Sequence, residues 1–143
     1  MSRISVDEYY LNIAKAVSKR SSCLKRQYGC VIVNNKEIVA TGYNGSPRGE
    51  INCCDTGFCN RLQEPNNTGK YDTCASVHAE QNALISVSRR DVIGADLYLY
   101  GEENGKKIDA SPCPLCARMI KNAGIKRIIT SCSKDKALED GND

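Results

Sequence analysis

The chain has 143 residues, of which 20 are basic and 17 acidic, giving a net charge of +3. This length fits one domain, and 41% hydrophobic with 26% charged residues is typical of a globular protein rather than a disordered one. No apolar run approaches the roughly 18 residues that cross a bilayer, and residues 1–7 show no signal peptide. We therefore expect a cytoplasmic protein without a membrane partner, although its small charge does not separate nucleic acid from a small anionic ligand.

The predicted elements begin with a helix and a hairpin. Ser5 and Glu8 have the spacing of a capping box, and the helix that follows extends to about Arg20. Two β-rich runs, 29–33 and 37–43, are joined by a polar turn, which predicts a hairpin. Residues 42–73 hold five glycines, two prolines and three cysteines without periodicity. Such a long loop is usually functional, and a metal is the obvious group to hold it.

The second half of the chain alternates helices with strands. The apolar spacing predicts helices over 77–90 and 112–123, and the second helix ends at Gly124. Strands are predicted over 96–100 and 126–131, and residues 101–109 are predicted as a polar loop. This alternation favours a mixed sheet with helices on both faces.

The nine cysteines predict metal ligands rather than a disulfide scaffold, because their number is odd and the chain shows no export signal. The alternative is that each cysteine is a small buried hydrophobe. We adopt that alternative for Cys30 and Cys132, which lie in apolar, strand-like runs. The cysteines of the long loop lie among polar residues, where metal binding is the better interpretation.

One group of residues has the spacing of a catalytic zinc site. His78 opens one predicted helix, and Cys113 and Cys116, about one helical turn apart, open another. Three protein ligands leave the fourth tetrahedral position to water, as in catalytic zinc sites, and the positive helix N-termini favour thiolates. Glu80 is placed to carry protons rather than to bind the metal. A purely structural zinc is the alternative, but it gives Glu80 no role.

The same residues carry a family resemblance. A His-x-Glu motif followed by Pro-Cys-x-x-Cys is the pattern of zinc-dependent nucleobase deaminases. Within that superfamily the chain resembles the deoxycytidylate (dCMP) deaminases, since a Tyr-Asn-Gly loop followed by a long cysteine-bearing segment is more typical of them than of deaminases acting on tRNA, guanine or single-stranded DNA. The matching stretches are 22–29, 41–49, 52–55, 78–83, 111–116 and 123–126.

The resemblance implies a fold and an activity. The fold is cytidine deaminase-like: one domain over residues 1–143, built as an α/β/α sandwich around a mixed sheet of five strands, or four if a terminal strand is missing. A long zinc-bearing loop occupies 44–76. The implied reaction is the hydrolysis of dCMP to dUMP and ammonia, which supplies dUMP for thymidylate synthesis. Regulation by dCTP as activator and dTTP as inhibitor, and assembly as a homo-hexamer, are also implied.

The resemblance further implies roles for individual residues. Glu80 passes protons from the attacking water to cytosine N3 and to the departing ammonia. The side chain of Asn44 contacts the sugar, although Asn44 followed by glycine also fits a plain turn. A basic side chain binds the phosphate by a charge-assisted hydrogen bond, with an ordinary solvated surface as the alternative. The residues expected to orient the base or bind phosphate are Ala79, Ser111 and Arg26, with Lys25 and Arg48 as alternatives to Arg26.

Some members of the family carry a second, structural zinc. Their ligands occur at the positions of Cys23 and Cys53, and the others come from the long loop and from the segment before the histidine. In this chain Cys59 and Cys74 are available there, which gives a closed site of four thiolates. Cys54 is the alternative ligand.

Three alternative functions remain open from the sequence. Residues 101–108 look like an insertion near the mouth of the site, so a triphosphate such as dCTP is also a conceivable substrate. A polynucleotide deaminase needs a basic, aromatic-rich channel, and the single Phe and the absence of Trp argue against one and against a nucleic-acid partner. The third alternative is a non-enzymatic interaction module stabilised by zinc.

Overall fold

The computed structural model describes residues 2–57, 59, 74 and 76–133, and within them a five-stranded sheet forms the centre of the protein. Helices and strands follow one another along the chain. In order they are α1 (Val6–Ser18), β1 (Gln27–Asn34), β2 (Glu37–Tyr43), α2 (Cys53–Thr56), α3 (Ala79–Ile85), α4 (Arg89–Val92), β3 (Asp96–Glu103), β4 (Lys106–Ile108), α5 (Pro114–Ala123) and β5 (Arg127–Thr130).

The sheet is mixed. β1 lies between β2 and β3 and is antiparallel to both. The other edge of β3 pairs antiparallel with β4 near its end and parallel with β5 near its start. The chain reaches β5 through α5, so this parallel pair has the helical crossover that parallel strands require. The prediction of a mixed, five-stranded sheet is confirmed.

Helices cover both faces of the sheet, as the alternation of elements predicts. Successive residues of a strand point to opposite faces, so β1 contributes to two cores. α1 covers one core, and α3 and α5 cover the other. The buried residues of the first core are Tyr10, Ala14, Val31, Val33, Tyr98 and Tyr100. Those of the second include Cys30, Ile32, Ala79, Ala83, Leu97, Leu99 and Ile120.

Two glycines allow the helices to lie unusually close to the sheet. A Cβ atom added at Gly29 would lie 2.0 Å from the carbonyl oxygen of Ala14 in α1. A Cβ atom at Gly42 would lie 2.4 Å from the carbonyl oxygen of Ala79 in α3. Any side chain at either position would push a helix off the sheet, so these glycines fix the helix positions.

The prediction of a polar loop over 101–109 is wrong, because β3 continues to Glu103 and forms a hairpin with β4. Asn104 and Gly105 occupy the turn with φ angles of 53° and 76°. Two successive residues with positive φ are the signature of the type I′ turn, which favours Asn-Gly. The polar composition of the run concealed a short pair of strands at the edge of the sheet.

The predicted helix over 77–90 is two helices, α3 and α4, and the long loop contains the short helix α2. The break follows from the local chemistry: Ser86 is the C-cap of α3, and Ser88 is the N-cap of α4. The Ser88 hydroxyl donates to Asp91 Oδ2 at 2.9 Å. Among the residues described, no helix has the length and apolar character needed to span a membrane.

The base of the long loop is closed by one antiparallel bridge. The Gly45 amide donates to the Val77 carbonyl at 3.1 Å, and the Val77 amide donates back at 2.7 Å. Val77 directly precedes His78, so the bridge also fixes the approach of the chain to α3. Residues 60–73 of this loop lie outside the described part of the chain.

Candidate metal centre and substrate cleft

Two helix N-termini meet at the predicted metal site. His78 is the N-cap of α3, and its amide donates to Gln81 Oε1 at 2.9 Å. Cys113 is the N-cap of α5, and its Sγ accepts a hydrogen bond from the Cys116 amide at 3.4 Å. Pro114 occupies the first turn of α5, where a missing amide proton leaves no helical hydrogen bond unmade. The capping residues are thus also the candidate ligands.

The geometry of the three side chains fits a zinc ion. His78 Nδ1 lies 3.6 Å from Cys113 Sγ and 3.3 Å from Cys116 Sγ. Zinc bonds of about 2.3 Å to sulfur and 2.0–2.1 Å to nitrogen at tetrahedral angles place such atoms about 3.5 Å apart. Across residues 2–57, 59, 74 and 76–133, this is the one group of three or more His, Cys, Asp or Glu residues with ligand atoms all within 4.8 Å.

Glu80 lies in the first turn of α3, beside this group, and only 5% of it is exposed. Burial raises the pKa of its carboxyl group, while hydrogen bonds from its own backbone and from Cys116 work in the opposite direction. Burial also raises the pKa of the Cys116 thiol, and the neighbouring Glu80 charge raises it further. Glu80 and Cys116 are thus two acidic groups close together in a buried site. A bound cation would stabilise their ionised forms, so this arrangement fits a metal site.

The metal centre lies in a cleft of about 540 Å³. This volume falls in the range of small-molecule sites, which is about 300–1,000 Å³. The structure brings most of the predicted site residues to this one cleft. They are His78, Glu80, Cys113, Asn44, Ser111, Arg26, Cys23, Cys59 and Cys74.

Asn44 has a bracing role that its sequence context does not show. It is 6% exposed, and its Oδ1 accepts from the Ser21 hydroxyl at 2.6 Å and from the Tyr28 amide at 2.9 Å. Its Nδ2 donates to the Arg26 carbonyl at 2.9 Å. The side chain thus holds the segment between α1 and β1 against the cleft. An amide nitrogen has two protons, and this bond uses one of them.

The family model for the cytidine and deoxycytidylate deaminase zinc-binding region matches residues 4–132 of the chain. The chain belongs to this family. The family and fold predicted from the His-x-Glu and Pro-Cys-x-x-Cys motifs are therefore confirmed. The zinc-binding character of the family agrees with the His78, Cys113 and Cys116 cluster.

Individual members of the deaminase family resemble the chain over most of its length. The deoxycytidylate deaminase of Schizosaccharomyces pombe is 41% identical over 128 residues, which cover 89% of this chain and 37% of the yeast protein. That of Mycobacterium phage D29 is 37% identical over 132 residues, covering 90% of this chain and 96% of the phage protein. The chain thus spans less than half of the yeast relative but nearly the whole phage relative.

A solved structure of the family has the same fold. The dCMP deaminase of cyanophage S-TIM5, crystallised in complex with dCMP and dUMP, superposes with a TM-score of 0.66 at 30% sequence identity. The superposition covers 91% of this chain and 83% of the cyanophage chain.

The remaining site residues of this deaminase domain differ in their surroundings. Ala79 is fully buried at the start of α3, and Ser111 is exposed at the cleft. Arg26 donates from Nε to Glu103 Oε1 at 2.7 Å, an ion pair that sequence reasoning missed. Lys25 also lines the cleft. The Asn-Gly turn is the sequence feature that could have indicated this ion pair, because it predicts a hairpin that returns beside β1.

Of the four cysteines assigned to a second zinc, all of which the structure describes, Cys23, Cys59 and Cys74 line the cleft, but no three of the four sulfur atoms lie within 4.8 Å of one another. Burial raises the pKa of Cys23, and the charges of Cys59 and Cys74 raise it further. Burial likewise raises the pKa of Cys53, followed by the charges of Cys59, Cys23 and Cys74. Cys54, the alternative ligand, is exposed, and its thiol lies 3.9 Å from Asp55 Oδ1.

The other predicted buried cysteines have different outcomes. Cys30 is fully buried in β1, as predicted. Cys132 is half-buried and follows the end of β5 rather than lying inside it, because the strand stops at Thr130.

Proposed function

We propose that this deaminase domain is a zinc-dependent hydrolase that converts dCMP to dUMP and ammonia. The observation that carries the proposal is the placement of His78, Cys113 and Cys116 around one point, with the buried carboxyl group of Glu80 in the same cleft. The name that the yeast and phage relatives share, deoxycytidylate deaminase, supports this choice of substrate.

The residues divide the chemistry between them. His78, Cys113 and Cys116 would hold zinc, which as a Lewis acid lowers the pKa of water so that it becomes a nucleophile near neutral pH. Glu80 takes the proton of the attacking water and delivers it to cytosine N3. As N3 is protonated, the water oxygen bonds to C4 as a hydroxyl group. Glu80 then takes the remaining proton of that hydroxyl group and delivers it to the exocyclic nitrogen, the bond from C4 to this nitrogen breaks, and ammonia leaves as the C4 carbonyl forms. The raised pKa of the Glu80 carboxyl group brings it closer to working pH, where a group can both accept and donate a proton.

The nucleotide is held from several sides of the cleft. Asn44 contacts a sugar hydroxyl through the amide proton that it does not donate to the Arg26 carbonyl. Backbone groups near Ala79 and Ser111 orient the base. Arg26 binds the phosphate through a charge-assisted hydrogen bond, with Lys25 beside it on the cleft wall. The product, dUMP, would feed thymidylate synthesis in the cytoplasm.

A substrate panel tests the proposed function. The zinc-loaded protein is incubated separately with dCMP, dCTP, deoxycytidine and a cytosine-containing oligonucleotide, and ammonia release is measured. We expect the highest kcat/KM with dCMP. Glu80→Gln should abolish turnover while the zinc content and the folded state stay unchanged, and Glu37→Gln, at the far end of the sheet, should leave turnover unchanged. Ammonia release from the oligonucleotide alone, or from dCTP in preference to dCMP, would overturn the assignment.

We further propose that Cys23, Cys53, Cys59 and Cys74 bind a second, structural zinc that ties the long loop to the cleft wall. The position of Cys23, Cys59 and Cys74 in the lining of one cleft supports this grouping. Fully metallated protein should contain close to two zinc ions per chain by elemental analysis. Cys59→Ser should lower the value to one, whereas Cys132→Ser should leave it at two. One zinc in the fully metallated wild type would contradict the proposal.

Finally, we propose a homo-hexamer that dCTP activates and dTTP inhibits. The family resemblance supports both properties, and the exposed apolar side chains of Ile85 on α3 and Leu115 on α5, which are 75% and 54% exposed, favour association. Light scattering should give six times the chain mass of 15.7 kDa. The plot of rate against dCMP concentration should become more sigmoidal with added dTTP and less sigmoidal with added dCTP. A monomer with rates insensitive to both nucleotides would remove this part of the proposal.

A further inference from the structure

The β3–β4 hairpin places a carboxylate on the basic wall of the cleft. Arg26 Nε lies 2.7 Å from Glu103 Oε1, and the two side chains are 30% and 35% exposed. Arg26 also has a hydrogen bond with the side chain of Tyr28. The guanidinium group is therefore held from β1 and from the hairpin, and it lines the cleft that contains the metal centre.

The neighbouring carboxylate shows that this arrangement is specific to one face of β3. Glu102 is 7% exposed and pairs with Lys19 near the end of α1 at 2.7 Å. Successive strand residues point to opposite faces, so Glu102 braces α1 while Glu103 lies on the other face and contacts Arg26, which lines the cleft. The hairpin is needed for this, since Glu103 is the last residue of β3 and is paired in register with Lys106 of β4.

We propose that Glu103 is a positioning residue for Arg26 and thereby sets the affinity of the cleft for the substrate phosphate. This inference rests on the proposed function, in which Arg26 contacts the phosphate. A free arginine side chain loses much rotamer freedom when it binds, and that loss opposes binding. Glu103 engages Nε and Tyr28 engages one of the four terminal N–H groups, which leaves three terminal N–H groups to bind a phosphate. Part of the ordering of the Arg26 side chain is thus complete before the nucleotide binds.

The experiment compares Glu103→Ala, Glu103→Gln and Glu37→Ala in the zinc-loaded protein. Loss of a partner that orders one long side chain weakens binding by about tenfold. We expect Glu103→Ala to raise KM for dCMP by about that factor while kcat stays within about twofold. Glu103→Gln keeps an oxygen that accepts from Nε, so its KM should return toward the wild-type value. Glu37 is the first residue of β2 and pairs with Asn34 at the end of β1 far from Arg26, so Glu37→Ala should change neither constant.

A binding measurement separates this role from a purely structural one. Calorimetric titration with the product dUMP should show the same tenfold weakening in Glu103→Ala, without any turnover. In an Arg26→Ala background, Glu103→Ala should have no further effect on dUMP affinity, because its partner is absent. A lower KM in Glu103→Ala would mean that Glu103 sequesters Arg26, and additive effects in the double variant would mean that the residues act separately. Either result overturns the proposal. Failure of wild-type protein to deaminate dCMP would instead overturn the proposed function.

Discussion

Replacing Gly42 by alanine tests whether the close packing of β2 against α3 determines the geometry of the metal centre. The new Cβ atom would lie 2.4 Å from the Ala79 carbonyl oxygen and 2.5 Å from the Ala83 amide nitrogen. Ordinary contact begins at 3.4 Å, so α3 has to move about 1.0 Å away from β2. Overpacking of this kind typically costs 1–3 kcal/mol of stability, that is about 2 kcal/mol for this variant.

The movement also acts on catalysis, because α3 carries His78 at its N-cap and Glu80 in its first turn. A misplacement of about 1 Å lowers the rate of a well-oriented reaction by about 100-fold. We therefore expect Gly42→Ala to reduce kcat for dCMP by about that factor, measured per zinc-loaded, folded molecule. Thermal unfolding measured alongside reports the loss of stability.

The matched control is Gly29→Ala, in which the new Cβ atom lies 2.0 Å from the Ala14 carbonyl oxygen. This clash is at least as severe, but it displaces α1 on the opposite face of the sheet. The control should lose stability while its folded fraction keeps most of its kcat. If Gly42→Ala keeps wild-type kcat, or if both variants lose kcat equally, packing against β2 does not set the site geometry.

Three further outcomes are expected. Chelation of zinc should abolish deamination and lower the unfolding temperature. A metal that binds only the folded state stabilises it by about 2.7 kcal/mol when the free metal concentration is 100 times Kd. An unchanged unfolding temperature would contradict this expectation. Burial raises the pKa of Asp7, but hydrogen bonds from Tyr98 and Arg127 outweigh it, so the folded pKa lies below the ordinary value of an aspartate. Asp7 therefore stabilises the fold above its unfolded pKa, and the contribution falls away as pH drops through the folded value. Asp7→Asn should cost about 1 kcal/mol at pH 7, after allowance for solvent screening, and much less near pH 2 in urea unfolding. Gly105→Val places a β-branched residue at a φ of 76° and should cost about 1–3 kcal/mol, a loss that Lys107→Val should not reproduce.

The sequence predicts best where a local pattern determines the structure. Ser5 is the N-cap of α1, as the spacing indicates, and its hydroxyl accepts from the Glu8 amide at 3.1 Å. The candidate metal ligands are predictable for the same reason. His78, Cys113 and Cys116 each lie at the start of a helix, where the local geometry directs the side chain to the site. The β1–β2 hairpin likewise follows from two apolar strands and a polar turn.

Features that depend on tertiary contacts were not predictable in this way. Arg26 and Glu103 are 77 residues apart, and their ion pair exists only because the polar hairpin returns beside β1. The hairpin has no apolar alternation to mark it, and only its Asn-Gly turn indicates it. The break between α3 and α4 involves serine caps rather than glycine or proline, so helical periodicity continues across it.

The bridge between Gly45 and Val77 makes the segment between them an exchangeable module. The two ends of this segment meet at the bridge, so a change in the length of the segment does not alter the register of any strand. Doubling the length of such a closed segment costs only about 0.6 kcal/mol of loop entropy. Segments of other lengths that keep Cys53, Cys59 and Cys74 can therefore be grafted at this point, which makes the bridge a natural boundary for redesigning substrate preference around an unchanged metal centre.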